Sequence, residues 1–96
     1  MTKMDDPPLP ERDDAPPLLR AVMHALGGDW EAAHALAQDD MTAAGAWVHG
    51  WLHRIEGDLA NAAYWYRRAG RPAATGPTDD EGREIAAFLR ANGAGY

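Results

Sequence analysis

Cysteine and serine are both missing from this sequence of 96 residues, phenylalanine occurs once, and nine basic residues face fifteen acidic ones. Each scarcity closes off a class of chemistry. Without Cys there is no disulfide framework, no thiolate zinc site and no thiol nucleophile, a composition that fits a reducing cytoplasm. Without Ser there is no serine nucleophile, and Thr42, Thr75 and Thr78 have no general base beside them in the sequence. A net charge of -6 works against broad contact with phosphate backbones or anionic lipid, so neither nucleic acid nor a membrane is expected as a partner. No apolar run approaches the roughly 18 residues that a spanning helix needs. The N-terminus MTKMDDPPLPERDD is acidic and proline-rich, where a signal peptide would be basic and then apolar. Gly27-Gly28 is too short and isolated to be a phosphate loop. No cofactor and no catalytic residue is implied.

What is present suits a single helical domain. A chain of this length cannot be divided into pieces that each bury a core. With one Phe, the large apolar area has to come from Trp, Tyr, Leu and Met. Five of the seven prolines fall in positions 7 to 17, mixed with acids, so residues 1–15 are expected to be a disordered leader and 16–92 the folded domain.

Sliding the chain on itself by 29 positions lays LLRAVMHALGGDWEAAHALAQ (18–38) beneath WVHGWLHRIEGDLANAAYWYR (47–67). His24 then meets His53, Gly28 meets Gly57, Asp29 meets Asp58 and Ala33 meets Ala62. Periods of this order belong to stacked supersecondary units. Gly28 and Gly57 can take the left-handed conformation that ends a helix, and Asp29 and Asp58 can cap the next one, so each unit predicts a tight helical hairpin. The expected hairpins span 16–38 and 43–70, with Asp40 or Thr42 capping the second. After the loop RPAATGPTDD, Thr78 and Glu81 stand at capping-box spacing ahead of a terminal helix over 79–91, which turns Ile85, Phe88 and Leu89 to one face and is expected to cross the second hairpin. The expected fold class is all-α: two tandem hairpins and a C-terminal capping helix.

The piece GDLANAAYWYRRAGRP resembles the second half of a tetratricopeptide repeat. It has Gly57 before the second helix, small Ala62 five residues on, aromatic Tyr66, then Ala69 and the closing Pro72. The resemblance covers about residues 18–72. It implies a helix-hairpin architecture and, from the family's habit, protein binding. The same block is also similar to one carried by small uncharacterised bacterial proteins, which implies no activity.

The stretch from 47 to 70 holds three of the four Trp, two of the three Tyr and two of the four His. On a helix over 43–56, Trp47, Val48, Trp51, Leu52 and Ile55 share a core face, while His49, His53 and Glu56 fall together on another. Histidines at i and i+4 can reach one ion and Glu56 could add an oxygen, so His49, His53 and Glu56 are candidate metal ligands. The recurrence of His24 at the place of His53, where Arg20 and Gly27 replace His49 and Glu56, favours instead a structural role shared by both hairpins. The zincin order His-Glu-x-x-His is not present, since Gly50, Trp51 and Leu52 separate the two histidines.

On a helix over 59–69, Trp65 and Tyr66 are expected in the core, whereas Asn61, Tyr64, Arg67 and Arg68 face outward. Arg67, Arg68 and Arg71 suit the negative end of a helix dipole and are also the residues to hold an acidic partner. Tyr64 beside them is a natural exposed anchor. Trp30, first in its helix, is placed to staple the hairpins together. The sequence thus points to a non-catalytic interaction module that takes a protein partner or a second copy of itself, with binding residues among His49, His53, Glu56, Tyr64, Arg67 and Arg68. The alternatives are metal binding by His49, His53 and Glu56, and a small-molecule or anion pocket lined by Trp51, His53, Tyr64 and Arg67.

Overall fold

Helix starts and stops sit where the Gly-Asp pairs put them. The computed structural model describes residues 16–92, so the leader expected over 1–15 lies outside the described residues. Within them are five helices and no strand: α1 (Pro17–Leu26), α2 (Trp30–Ala37), α3 (Ala43–Glu56), α4 (Leu59–Ala69) and α5 (Thr78–Ala91). Pro17 opens α1 at a position whose N–H would have no intrahelical partner in any case. Gly28 and Gly57 both have positive φ, +94° and +90°, which a side chain would resist. Asp29 then accepts from Ala32 N at 3.1 Å to start α2, and Asp58 accepts from Asn61 N at 3.2 Å to start α4. Of the two residues expected to cap α3, Thr42 does so, accepting from Gly45 N at 3.0 Å, and Asp40 in turn accepts from Thr42 N at 2.9 Å.

The helices pair α1 with α2 and α3 with α4, and α2 lies against α3. Helix α5 rests on α1 and α3, the leading helix of each pair, rather than crossing the second pair alone. This correction follows from where the apolar area is. Leu18, Ala21 and Val22 of α1, Ala44, Trp47, Val48, Trp51 and Leu52 of α3, and Ile85, Ala86 and Leu89 of α5 form one buried cluster, which Ala33 and Ala37 of α2 and Ala62 and Tyr66 of α4 complete. Ile55, expected in the core, is exposed in the last turn of α3, beyond that packed layer.

The two buried indoles and that of half-buried Trp30 each have a partner for the N–H, as a polar group removed from water requires. Trp51 Nε1 donates to the Thr78 carbonyl at 2.7 Å, Trp30 Nε1 to the Leu52 carbonyl at 2.7 Å, and Trp47 Nε1 to Glu81 Oε2 at 3.0 Å. The Trp30 bond joins α2 to α3, which is the stapling expected of that residue. The Glu81 bond overturns the capping-box expectation. Pro77 stands at the N-cap without a side-chain cap, and the Glu81 carboxylate is buried instead of reaching back to the helix end. It accepts from Tyr66 Oη at 2.6 Å and pairs with Arg54 at 2.5 Å, and Arg54 also donates to the Gly76 carbonyl. Burial first, and then the bond to Glu81, pushes the Tyr66 phenol well above its ordinary range. A capping carboxylate has one backbone bond to gain, while this position supplies three side-chain donors out of water. Arg71 also departs from its expected helix-end role, since its guanidinium lies over the Trp47 ring at 3.4 Å from the centroid.

Candidate functional site

Packing α2 onto α3 brings together a residue that the repeat had concealed. Trp30 and His34 are one turn apart on α2, and their rings stack at 4.8 Å with an interplanar angle of 8°. His49 and His53 are one turn apart on α3 and stack at 5.4 Å and 15°. The two pairs meet edge to face: His34 lies 5.0 Å from His49 and 5.8 Å from His53 between ring centroids. His34 Nε2 and His49 Nε2 are 3.2 Å apart, a hydrogen bond whose direction depends on the tautomers.

The array continues outward through α4. Trp65 lies flat on His49 at 4.1 Å and 5°, Tyr64 meets Trp65 edge-on at 5.2 Å, and the Arg68 guanidinium stands over Trp65 and Tyr64 at 5.4 and 5.9 Å from their centroids. Arg68 also donates to Tyr64 Oη at 3.1 Å. Trp65, expected in the core, is therefore half-buried at the edge of the site. The reason is the α3 surface that it faces, which presents His49 rather than an aliphatic side chain.

Five of the six expected site residues belong to this array. His49 and His53 form its buried centre, with 5% and 8% exposure, and Glu56 touches it by accepting a 2.6 Å bond at Oε2 from His53 Nδ1. Tyr64 and Arg68 form its outer end, whereas Arg67 is exposed and shares no ring contact with the array. The metal-ligand set expected from the sequence changes. One ring nitrogen from each of His34, His49 and His53 lies within 4.8 Å of the other two, and Glu56 is the partner of His53 rather than a member of that group. His53, Glu56 and Asp58 also come within 4.8 Å of one another, but Glu56 and Asp58 are exposed and Asp58 is already capping α4. The repeat mates His24 and His53 share a backbone role, their carbonyls accepting from Asp29 N at 2.8 Å and Asp58 N at 2.9 Å, but not side-chain surroundings. His24 is exposed while His53 is buried, so the two imidazoles meet different environments. Trp51, offered to a small-molecule pocket by the third reading, has no exposed surface, so it cannot line one with His53 and Tyr64.

Electrostatically the centre is set against positive charge. Burial first, and then the neighbouring His34 and His53, lower the pKa of His49 to about 4. His49 is therefore neutral at physiological pH. Its Nδ1 is buried and has no hydrogen-bond partner among the described residues. His34 was missed because the 29-residue offset pairs it with Ala63, so the repeat gives it no counterpart. The usable signal was local: Trp30 and His34 at i and i+4 on a short helix, matching the spacing of His49 and His53.

Comparison with known proteins adds no further identification: no protein-family model, no curated protein and no solved structure matches the chain. None of the helices of the described residues is long and apolar enough to cross a membrane.

Proposed function

We propose that this chain is a non-catalytic, tetratricopeptide-like helical module that binds a protein partner or a second copy of itself. The binding surface is the outer end of the ring array, Tyr64, Trp65 and Arg68 on α4. One observation carries this reading: a small chain whose large apolar area rests on a few Trp and Tyr leaves Tyr64 exposed and Trp65 half-buried, with a guanidinium laid over both. Core burial would have gained more from those rings. Tyr, Trp and Arg are the side chains that dominate interface energetics, because each offers large area at small entropic loss together with a polar tip. Arg67 beside them adds a second cation to the last turn of α4, where the helix dipole favours it, and suits an acidic contact.

The test uses the double variant Tyr64→Ala/Arg68→Ala, whose side chains are outside the core. Sedimentation velocity over a wide concentration range reads self-association, and affinity capture with wild-type, double-variant and His24→Ala baits reads a separate partner. The expected result is association by the wild type and by His24→Ala, loss of at least tenfold in the double variant, and unfolding curves that change by less than about 0.5 kcal/mol. Equal association of wild type and double variant, or none by the wild type in either assay, refutes the reading.

A further inference from the structure

Each neutral imidazole carries one donor and one acceptor. The nitrogens of His34, His49 and His53 do not satisfy one another. One nitrogen each of His34 and His49 is spent on their mutual bond, one of His53 is held by Glu56, and His49 Nδ1 is buried without a partner among the described residues. An unmet buried polar atom destabilises the fold, and a purely structural position is as well served by Leu or Phe. An ion taking the place of the His34–His49 bond would meet their two facing Nε2 atoms, one from each of two helices.

We infer that His34, His49 and His53 form a site for one divalent transition-metal ion of the zinc, cobalt or nickel class, tying α2 to α3. The distances suit it. With Zn–N bonds of about 2.0–2.1 Å, tetrahedral ligands stand roughly 3.3–3.4 Å apart. The facing Nε2 atoms of His34 and His49 are already at 3.2 Å, and the third nitrogen lies within 4.8 Å, a gap that small rotations of the ring torsions close. His49 and His53 rise from one face of α3 and His34 reaches across from α2, so the ligands come from two elements whose packing is independently fixed by the bond from Trp30 to the Leu52 carbonyl.

The surroundings match what a metal-bound imidazole requires. Glu56 accepts from His53 Nδ1 at 2.6 Å, which fixes the proton there and leaves Nε2 for an ion; carboxylates behind ligand histidines do this widely. Trp30 stacked on His34 and Trp65 stacked on His49 restrain two of the three ligand rings in plane. Nitrogen-only donors in a chain without Cys select borderline ions over calcium and magnesium, which need oxygen ligands. No fourth His, Asp or Glu joins the three among the described residues, so the ion keeps a coordination place for water or a small anion. This inference goes beyond partner binding, and either can fail alone.

The full untagged chain, stripped with chelator, is titrated with zinc chloride by calorimetry and by nitrogen-15 NMR of its four histidine rings. The expected result is one ion per chain at about micromolar concentration or tighter. The ring signals of His34, His49 and His53 should move together while that of exposed His24 stays. His34→Ala should weaken binding at least tenfold, Glu56→Gln by about tenfold through His53, and His24→Ala not at all. The NMR readout on the wild type decides the question even where His34→Ala does not fold. Folded wild type that binds no zinc at millimolar concentration overturns the inference, as does binding in which the His34 ring signal does not respond.

Discussion

His49 shows at the scale of one residue how a buried polar group makes stability depend on pH. It sits at 5% exposure with its pKa lowered from 6.5 to about 4, first by burial and then by His34 and His53. The groups around it are His34 from α2, His53 on its own helix with Glu56 on the far nitrogen, and Arg68 of α4 above the Trp65 ring that covers it. Between pH 6.5 and 4 the unfolded chain takes up a proton at this position that the folded chain refuses. The stability linked to His49 is therefore fully present above the unfolded pKa, falls as pH drops through that window and flattens below it. The shift corresponds to roughly 3 kcal/mol over the window. Urea unfolding of chelator-treated wild type and His49→Phe at several pH values from 7.5 to 4 reads this share as the difference between the two proteins. We expect the variant to gain on the wild type steadily as the solution is acidified; parallel curves would show that His49 is not held neutral by the fold.

At the scale of elements, the close approach of α5 to α3 turns on Gly82. A Cβ at this position would collide with the Trp51 indole and stand 2.8 Å from Leu26 Cδ2, and Trp51 is pinned by its bond to the Thr78 carbonyl. Helix propensity alone favours Gly82→Ala by about 1 kcal/mol, whereas overpacking a fixed indole costs about 1–3 kcal/mol. The steric term should win, so Gly82→Ala is expected to lower the denaturation midpoint while Ala87→Gly on the exposed side loses only its propensity share. A stabilised Gly82→Ala protein would mean that α5 can move away from Trp51. This contact was not legible in the sequence, where Gly82 is only a weak residue in a helix. The Gly-Asp turns were legible, since a left-handed glycine and an N-cap aspartate act within three or four residues of themselves. So was most of the α3 core face, because periodicity reports which side is buried. It does not report against what: Glu81 has a capping partner in the local sequence and better partners in α3 and α4, and tertiary contacts prevailed. His34 joins His49 only through the packing of α2 on α3, and a repeat comparison, which searches for equivalence, passes over a residue whose role exists in one hairpin alone.

Across the whole molecule, one carboxylate links what the hydrophobic cluster brings together. Glu81 on α5 accepts from Trp47 and Arg54 of α3 and from Tyr66 of α4, and the side chains of Arg54 and Glu81 retain only 12% and 4% exposure. A domain of this size has about 5–15 kcal/mol of total stability, so removing one partner of a buried ion pair, at about 3–5 kcal/mol, takes a large part of it. Most of that loss comes from the charge left behind. Glu81→Gln keeps the shape and leaves the Arg54 guanidinium uncompensated, so it should lower the thermal midpoint sharply and weaken the near-ultraviolet circular dichroism of the tryptophans. Arg83→Ala, which breaks an ion pair with Asp80 at 66% and 70% exposure, should change stability by less than about 0.5 kcal/mol. The decisive variant is Arg54→Met/Glu81→Gln. If the orphaned charge is the main term, removing it should recover part of the loss, making the double variant more stable than Glu81→Gln alone despite the missing bond to the Gly76 carbonyl. A double variant at or below the sum of the two single losses would show instead that the network stabilises the fold through its hydrogen bonds, with charge compensation secondary.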